Sequence, residues 1–360
     1  MRQRGGAERA KTVRMFFWKR GVLAAAMAAL ILSGCSEYES SEELRAQAST
    51  EAQADGEVQA AAEVWTSKQT ETGADISGRS QSRTRAAVPE FETVSDRVYV
   101  NTEGGAIAEN GRQVLLDPNW DYAEFAKITS GTAVLYQSQT AERKNLTICV
   151  NAGHGTKGGA SVKTQCHPDG SPKVTGGTTG AGAVTAAAVS GGMTFDDGTP
   201  ESSVTLSMAL ILKDKLLAKG YDVLMIRDGS DVQLDNVART VMANNKADCH
   251  IALHWDSTKT DKGAFYMSVP NNAAYRAMEP VASHWESHNK LGSALVGGLK
   301  QNGVKIFSSG SMEMDLTQTS YSTVPSIDIE LGDGKSAHDD ATLGKLADGL
   351  VVGVNSYFGQ

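Results

Sequence analysis

Leu146-Thr147-Ile148-Cys149-Val150-Asn151-Ala152-Gly153-His154-Gly155 is the stretch on which the fold turns. Its first five residues form a short apolar run suited to a strand buried on both faces, as in parallel sheets. The run then breaks into a Gly-His-Gly turn. Downstream, apolar residues recur at helical spacing (Leu206, Ala209, Leu210, Leu212, Leu216, Leu217) and stop at Gly220. Tyr221 to Ile226 predicts a second strand, Val237 to Asn244 a helix, Cys249 to Leu253 a third strand and Ser326 to Ile329 a fourth. Leu343 to Tyr357 reads as an amphipathic closing helix. Strands alternating with helices imply an α/β domain over 145–360, a mostly parallel sheet flanked by helices. Residues 156–198, loaded with Gly, Thr, Ser and Ala, break this rhythm. A loop of that length is usually functional or mobile. It is expected to govern substrate access and to be separable from any metal site.

Ligands of open parallel sheets bind at the carboxyl ends of the strands. His154 follows the first strand, His254 ends the third, and Glu330 follows the fourth; Glu201 stands near the start of a helix. Two histidines and two carboxylates can therefore converge on one rim. A tetrahedral zinc bound by His, Glu and His keeps its fourth position for water, and the remaining carboxylate can act on that water.

In this order the blocks resemble the zinc-dependent N-acetylmuramoyl-L-alanine amidases of the cell-wall hydrolase type, the amidase type 3 catalytic domain. The resemblance runs from about Asn145 to Gly359. It rests on Gly153-His154-Gly155, on Glu201 before its apolar helix, and on Gly220-Tyr221-Asp222-Val223 with Arg227-Asp228. Arg239, Ala243-Asn244, Ala247-Asp248 and His254 continue it, and Pro325, Glu330 and Gly332 close it. The resemblance implies a Zn²⁺ cofactor held by His154, Glu201 and His254, with Glu330 as catalytic base. It implies a peptidoglycan substrate, cut between N-acetylmuramic acid and L-alanine of the stem peptide. Two other readings use the same residues: a non-catalytic wall-binding lipoprotein, and a zinc peptidase acting within the stem peptide. The chain departs from the family pattern in places. Asn151-Ala152 stands for the usual Asp-Pro, Asp256 for an Asn, and Asp333-Gly334-Lys335-Ser336 for Phe-Leu-Ser-Asn. The gap from His154 to Glu201 is long for the family.

Each role has rivals. His250 and His254 share a strand face but lie about 13 Å apart at ~3.3 Å per residue, so they cannot both bind one ion, and His250 reads as buried and structural. His284 and His288, four apart, lack the glutamate placement of a metalloprotease helix and read as helix surface. His167 beside Cys166 is a candidate second metal position, and His338 reads as surface. Glu313 and Asp315 compete with Glu330 as base, but Glu330 stands at the end of a rigid strand. Cys149 and Cys249 sit inside strands, where packing explains them better than nucleophilic chemistry.

Around this domain the rest of the 360 residues falls into place. Hydrophobic residues at 40% and charged residues at 21% permit a packed core and exclude global disorder. A net charge of −8 argues against nucleic acid as a partner. Residues 1–35 carry seven basic residues, an apolar run from Gly21 to Leu32 and then Leu32-Ser33-Gly34-Cys35, the layout of an export signal. That last quartet resembles a lipobox, with Cys35 as the lipidated residue. The implied location is extracytoplasmic, on a membrane held through the lipid anchor. Without residues 1–35 the chain has 27 basic against 41 acidic residues, a net charge of −14. Residues 36–88 are rich in Ser, Glu, Ala, Gln and Thr and read as a disordered tether. Residues 89–140, with Arg97 to Val100, Phe125 to Ile128 and Thr132 to Tyr136 as candidate strands, read as a small β-rich module, of bacterial SH3-like type. The alternative is a β extension packed on the next domain.

Overall fold

The computed structural model describes residues 111–360. The expectations for residues 1–35, for Cys35, for the tether and for Arg97 to Val100 lie outside the described residues. Among the described residues ten strands run in chain order: β1 (Arg112–Val114), β2 (Ala133–Tyr136), β3 (Thr147–Ala152), β4 (Lys163–Gln165), β5 (Thr185–Ala187), β6 (Asp222–Met225), β7 (Cys249–Asp256), β8 (Ala264–Ser268), β9 (Ile306–Glu313) and β10 (Ser326–Asp333). Among the described residues six α-helices accompany them: α1 (Glu201–Ala218), α2 (Asn236–Lys246), α3 (Ala273–Ala277), α4 (Val281–Gln301), α5 (Thr317–Tyr321) and, after the last strand, α6 (Asp340–Phe358).

Eight strands form one sheet in the order β1-β2-β6-β3-β7-β10-β8-β9. The central four, β6, β3, β7 and β10, are parallel to one another. Their sequences are nearly all buried, as a sheet covered on both faces requires. One face packs Ile148, Val150, Val223, Ile251, Leu253, Ile327 and Ile329 against α1, α4 and α6. Helix α1 contributes Val204, Met208, Leu212 and Leu216, a stripe at four-residue spacing. Burying each such side chain stabilises the fold by about 1.5–3 kcal/mol. The other face packs Cys149, Leu224 and Ile226 against Ala238 and Met242 of α2. No described helix is long and apolar enough to cross a membrane.

The small-module expectation for 89–140 is corrected over its described part. Strand β2 pairs antiparallel with β6, and β1 pairs with β2, so residues 112–136 extend the main sheet. Val114, Ala133 and Leu135 belong to the same core as Leu224 and Cys149. Phe125 to Ile128 is not a strand; a 3-10 turn covers Ala123–Phe125. The next backbone groups, Lys127 N–H and Ile128 N–H, donate to Asp235, which also caps α2 through Ala238 N–H at 2.8 Å. The long stretch 156–198 carries its own antiparallel pair, β4 with β5.

Candidate functional site

The turn after β3 is built under strain. His154 has φ 62, in the left-handed region that non-glycine residues rarely occupy. Two buried arginines hold it there. Arg239 donates to the carbonyls of Ala152 (3.2 Å) and His154 (2.8 Å) and to Asn151 Oδ1 (3.1 Å). Arg227 donates to the carbonyls of Gly153 (2.9 Å) and Ser202 (2.8 Å), tying the turn to the start of α1. Burial pushes the Arg239 guanidinium down to about 9 and that of Arg227 to about 10. These are the two arginines of the sequence motif, and their work is to brace backbone oxygens.

His154 thereby meets two residues far away in sequence. Its Nε2 lies 3.0 Å from His254 Nδ1 and 2.9 Å from Glu201 Oε1, and His254 Nδ1 lies 3.2 Å from the same oxygen. Glu201 opens α1, where the helix dipole favours a carboxylate. Burial opposes its ionisation, but His154 and then His254 outweigh burial and hold the Glu201 carboxyl well below the usual range. The Glu201 oxygens also accept from Trp255 N–H (2.9 Å) and Met193 N–H (2.9 Å). His154 Nδ1 donates to the Ser190 carbonyl at 2.9 Å, which leaves Nε2 as the lone-pair nitrogen.

Three donor atoms about 3 Å apart fit a metal. A tetrahedral zinc with ligands at 2.0–2.2 Å separates them by roughly 3.3 Å. Two imidazoles and one carboxylate are a donor set that zinc accepts. Among the described residues this is the cluster of His, Cys, Asp and Glu side chains that can hold an ion. Glycine leaves room for it on both sides. A Cβ on Gly153 would lie 2.3 Å from the His254 ring, and one on Gly192 would lie 2.8 Å from the His154 ring.

Glu330 faces His254 across the parallel β7–β10 pair and is 8% exposed. Both line a cavity of about 520 Å³ with His154, Glu201 and Trp255. So the structure brings together all four residues read from the sequence. The stretch 156–198 forms another wall of this cavity through Gly177, Thr178, Thr179 and Ser190. Its expected separation from the metal site is corrected: Ser190 and Met193 touch His154 and Glu201 directly.

The rivals find other work. His250 is buried, its Nε2 accepts from the Asn151 amide at 3.2 Å, and burial followed by Arg239 lowers it to about 3. His288 is not helix surface; it is buried and accepts from Ser326 N–H at 2.9 Å. His167 donates from Nε2 to Asp315 at 3.1 Å and pairs with Ser171 through Nδ1 at 2.9 Å, so neither nitrogen is left for a metal. Asp315 also receives Lys173, Val174 N–H and Thr175, which removes it as a base. Cys149, Cys166 and Cys249 are free and buried. Sequence reasoning missed Ser190 and Met193, which carry no motif. It also missed Asp328, although the alternation Ser326-Ile327-Asp328-Ile329-Glu330 places it on the face of Glu330.

Fold and site together define an α/β protein with a three-ligand metal constellation at the carboxyl edge of its sheet. A model of the N-acetylmuramoyl-L-alanine amidase family, Amidase_3, matches residues 148–354, and the chain belongs to that family. Among solved structures it is similar to the N-acetylmuramyl-L-alanine amidase Ami1 of Mycobacterium smegmatis. The identity is 19%, over 60% of this chain and 97% of that one, with a TM-score of 0.49. It is also similar to the N-acetylmuramoyl-L-alanine amidase of Clostridium difficile 630, at 18% identity, 60% and 97% coverage and TM-score 0.43. The amidase AmiC2 of Nostoc punctiforme is similar at 15% identity, 61% and 99% coverage and TM-score 0.42. A search of curated proteins finds no match.

Proposed function

We propose that this chain is a peptidoglycan hydrolase that cuts the amide between the lactyl group of N-acetylmuramic acid and L-alanine of the stem peptide. The observation that carries the proposal is the approach of His154 Nε2, His254 Nδ1 and Glu201 Oε1 to within about 3 Å of one another, with Glu330 beside them. In this reading His154, Glu201 and His254 hold Zn²⁺. Bound zinc supplies Lewis-acid polarisation of the scissile carbonyl and makes water a better acid. A Glu330 carboxylate oxygen takes a proton from the attacking water and delivers it to the leaving amine. The low exposure of Glu330 keeps bulk water from competing for that proton. Ser190 and Trp255 fix the ligands through backbone groups, which do not sample rotamers.

Digestion of purified peptidoglycan, followed by mass spectrometry of the products, tests the reaction. Free glycan and intact stem peptides are expected. Shortened stems would point to a peptidase, and unchanged muropeptides to a wall-binding protein. The lipobox further supports export and anchoring at Cys35. Membrane retention that survives Cys35→Ala, with processing unchanged, would refute that part.

A further inference from the structure

Strand β10 sorts its side chains by parity. Ile327, Ile329 and Leu331 enter the core, while Ser326, Asp328 and Glu330 take the face shared with His250 and His254. A short strand of this kind, buried on both faces, is usually apolar throughout. Asp328 is a carboxylate there all the same, its side chain 16% exposed, and it lines the cavity with Glu330. Its Oδ1 is buried and has no hydrogen-bond partner among the described residues. An unsatisfied buried acceptor is destabilising, so the residue calls for a reason.

The reason lies on the neighbouring strand. Asp328 Oδ2 is 3.6 Å from His254 Nε2, an ion-pair separation just beyond hydrogen-bond length. His254 turns its other nitrogen, Nδ1, to His154 and Glu201. A neutral imidazole can offer a lone pair at one nitrogen only while the other carries the proton. The carboxylate favours that proton on Nε2, beside itself, and so leaves the Nδ1 lone pair for the ligand point. His154 shows the same division with a different acceptor, since its Nδ1 donates to the Ser190 carbonyl. Each ligand ring thus directs one nitrogen at the common point and the other at an oxygen. We propose that Asp328 is a positioning residue of the metal centre, which fixes the tautomer and direction of His254. Acceptors behind ligating histidines raise ligand basicity, and their loss typically lowers metal affinity about 10–100-fold.

The inference rests on the metal reading above, so its test separates the two. The full chain and its Asp328→Asn and Asp328→Leu variants are titrated with zinc against a chromophoric chelator. Each is also loaded with cobalt, whose visible absorption reports ligand geometry. Asparagine keeps the shape of the side chain and removes the charge; leucine restores an apolar strand. Both variants are expected to bind zinc about 10–100-fold more weakly and to show shifted cobalt bands, with far-ultraviolet circular dichroism unchanged. A parent that binds zinc together with variants of equal affinity and identical cobalt spectra would overturn the role of Asp328 alone. A parent that binds no zinc would overturn the metal reading and this inference with it.

Discussion

Two clusters of histidine and carboxylate in this molecule do opposite things. Around Asp315, the donors outnumber the lone pairs they need: His167, Lys173, Val174 N–H and Thr175 all point at one carboxylate. Around Glu201, two imidazole nitrogens and a carboxylate oxygen face one another at 2.9–3.2 Å. The first arrangement is electrically closed and fastens 167–175 to the segment after β9. The second has the donor set and spacing that can hold a metal ion. A buried His–Asp or His–Glu pair therefore says little until its remaining nitrogens and oxygens are accounted for.

The largest effect is expected at the cluster around Glu201. Replacing His154, Glu201 or His254 by Ala should remove bound zinc and muropeptide release together, as metal analysis and product analysis would register. Retention of one zinc per chain in any of the three would break the contrast. Glu330→Gln should come next, with a rate loss of about 10²–10⁴-fold while zinc stoichiometry stays at the parent level. Zinc loss there would move Glu330 among the ligands and reopen the place of Glu201.

Asp315→Ala should leave zinc stoichiometry intact and act on stability. Breaking a buried charge network by removing one partner costs about 3–5 kcal/mol, and a domain of this size loses on the order of 10 °C in melting temperature for that. A pH series sharpens the test. Burial opposes ionisation of Asp315, but His167 and Lys173 outweigh it and hold the carboxyl far below its usual range. A depressed carboxyl contributes stability that is complete above the unfolded value of about 4 and is lost as pH falls below it toward the folded one. The gap between the parent and Asp315→Asn should therefore narrow as acid is added below about pH 4. A gap independent of pH would mean that shape, not charge, fastens the segment. The smallest effect is expected from Ser190→Ala. It removes the hydroxyl 3.1 Å from His154 Nδ1 but keeps the carbonyl at 2.9 Å. Zinc affinity, read by chelator competition, should fall less than about tenfold.

What the sequence disclosed follows from where local pattern suffices. The four central strands are short apolar runs, and His154, His254 and Glu330 sit at or near the carboxyl ends of three of them, while Glu201 opens a helix. Helix α1 is visible for the same reason, through its spacing of Met208, Leu212 and Leu216. Strand β9 is not visible, because Ser308-Ser309-Gly310-Ser311 has no apolar alternation and is held by pairing with β8. Strands β1 and β2 look alike whether they close a separate module or edge a larger sheet; only the pairing of β2 with β6 decides. The support from Ser190 and Met193 comes through backbone groups, to which residue type is no guide. His288 read as surface because its spacing from His284 suits a helix, whereas its burial depends on β10.

Gly153 carries a lesson for anyone reading natural variation in this chain. Its backbone is ordinary; what it provides is emptiness, the few ångströms into which the His254 ring is set. An allele with alanine at 153 would keep every ligand and every motif letter that a search for catalytic residues checks. It would still have displaced a ring from its seat. Inventories of intact active-site residues would score such an allele as functional, and a deep mutational scan should find it among the dead.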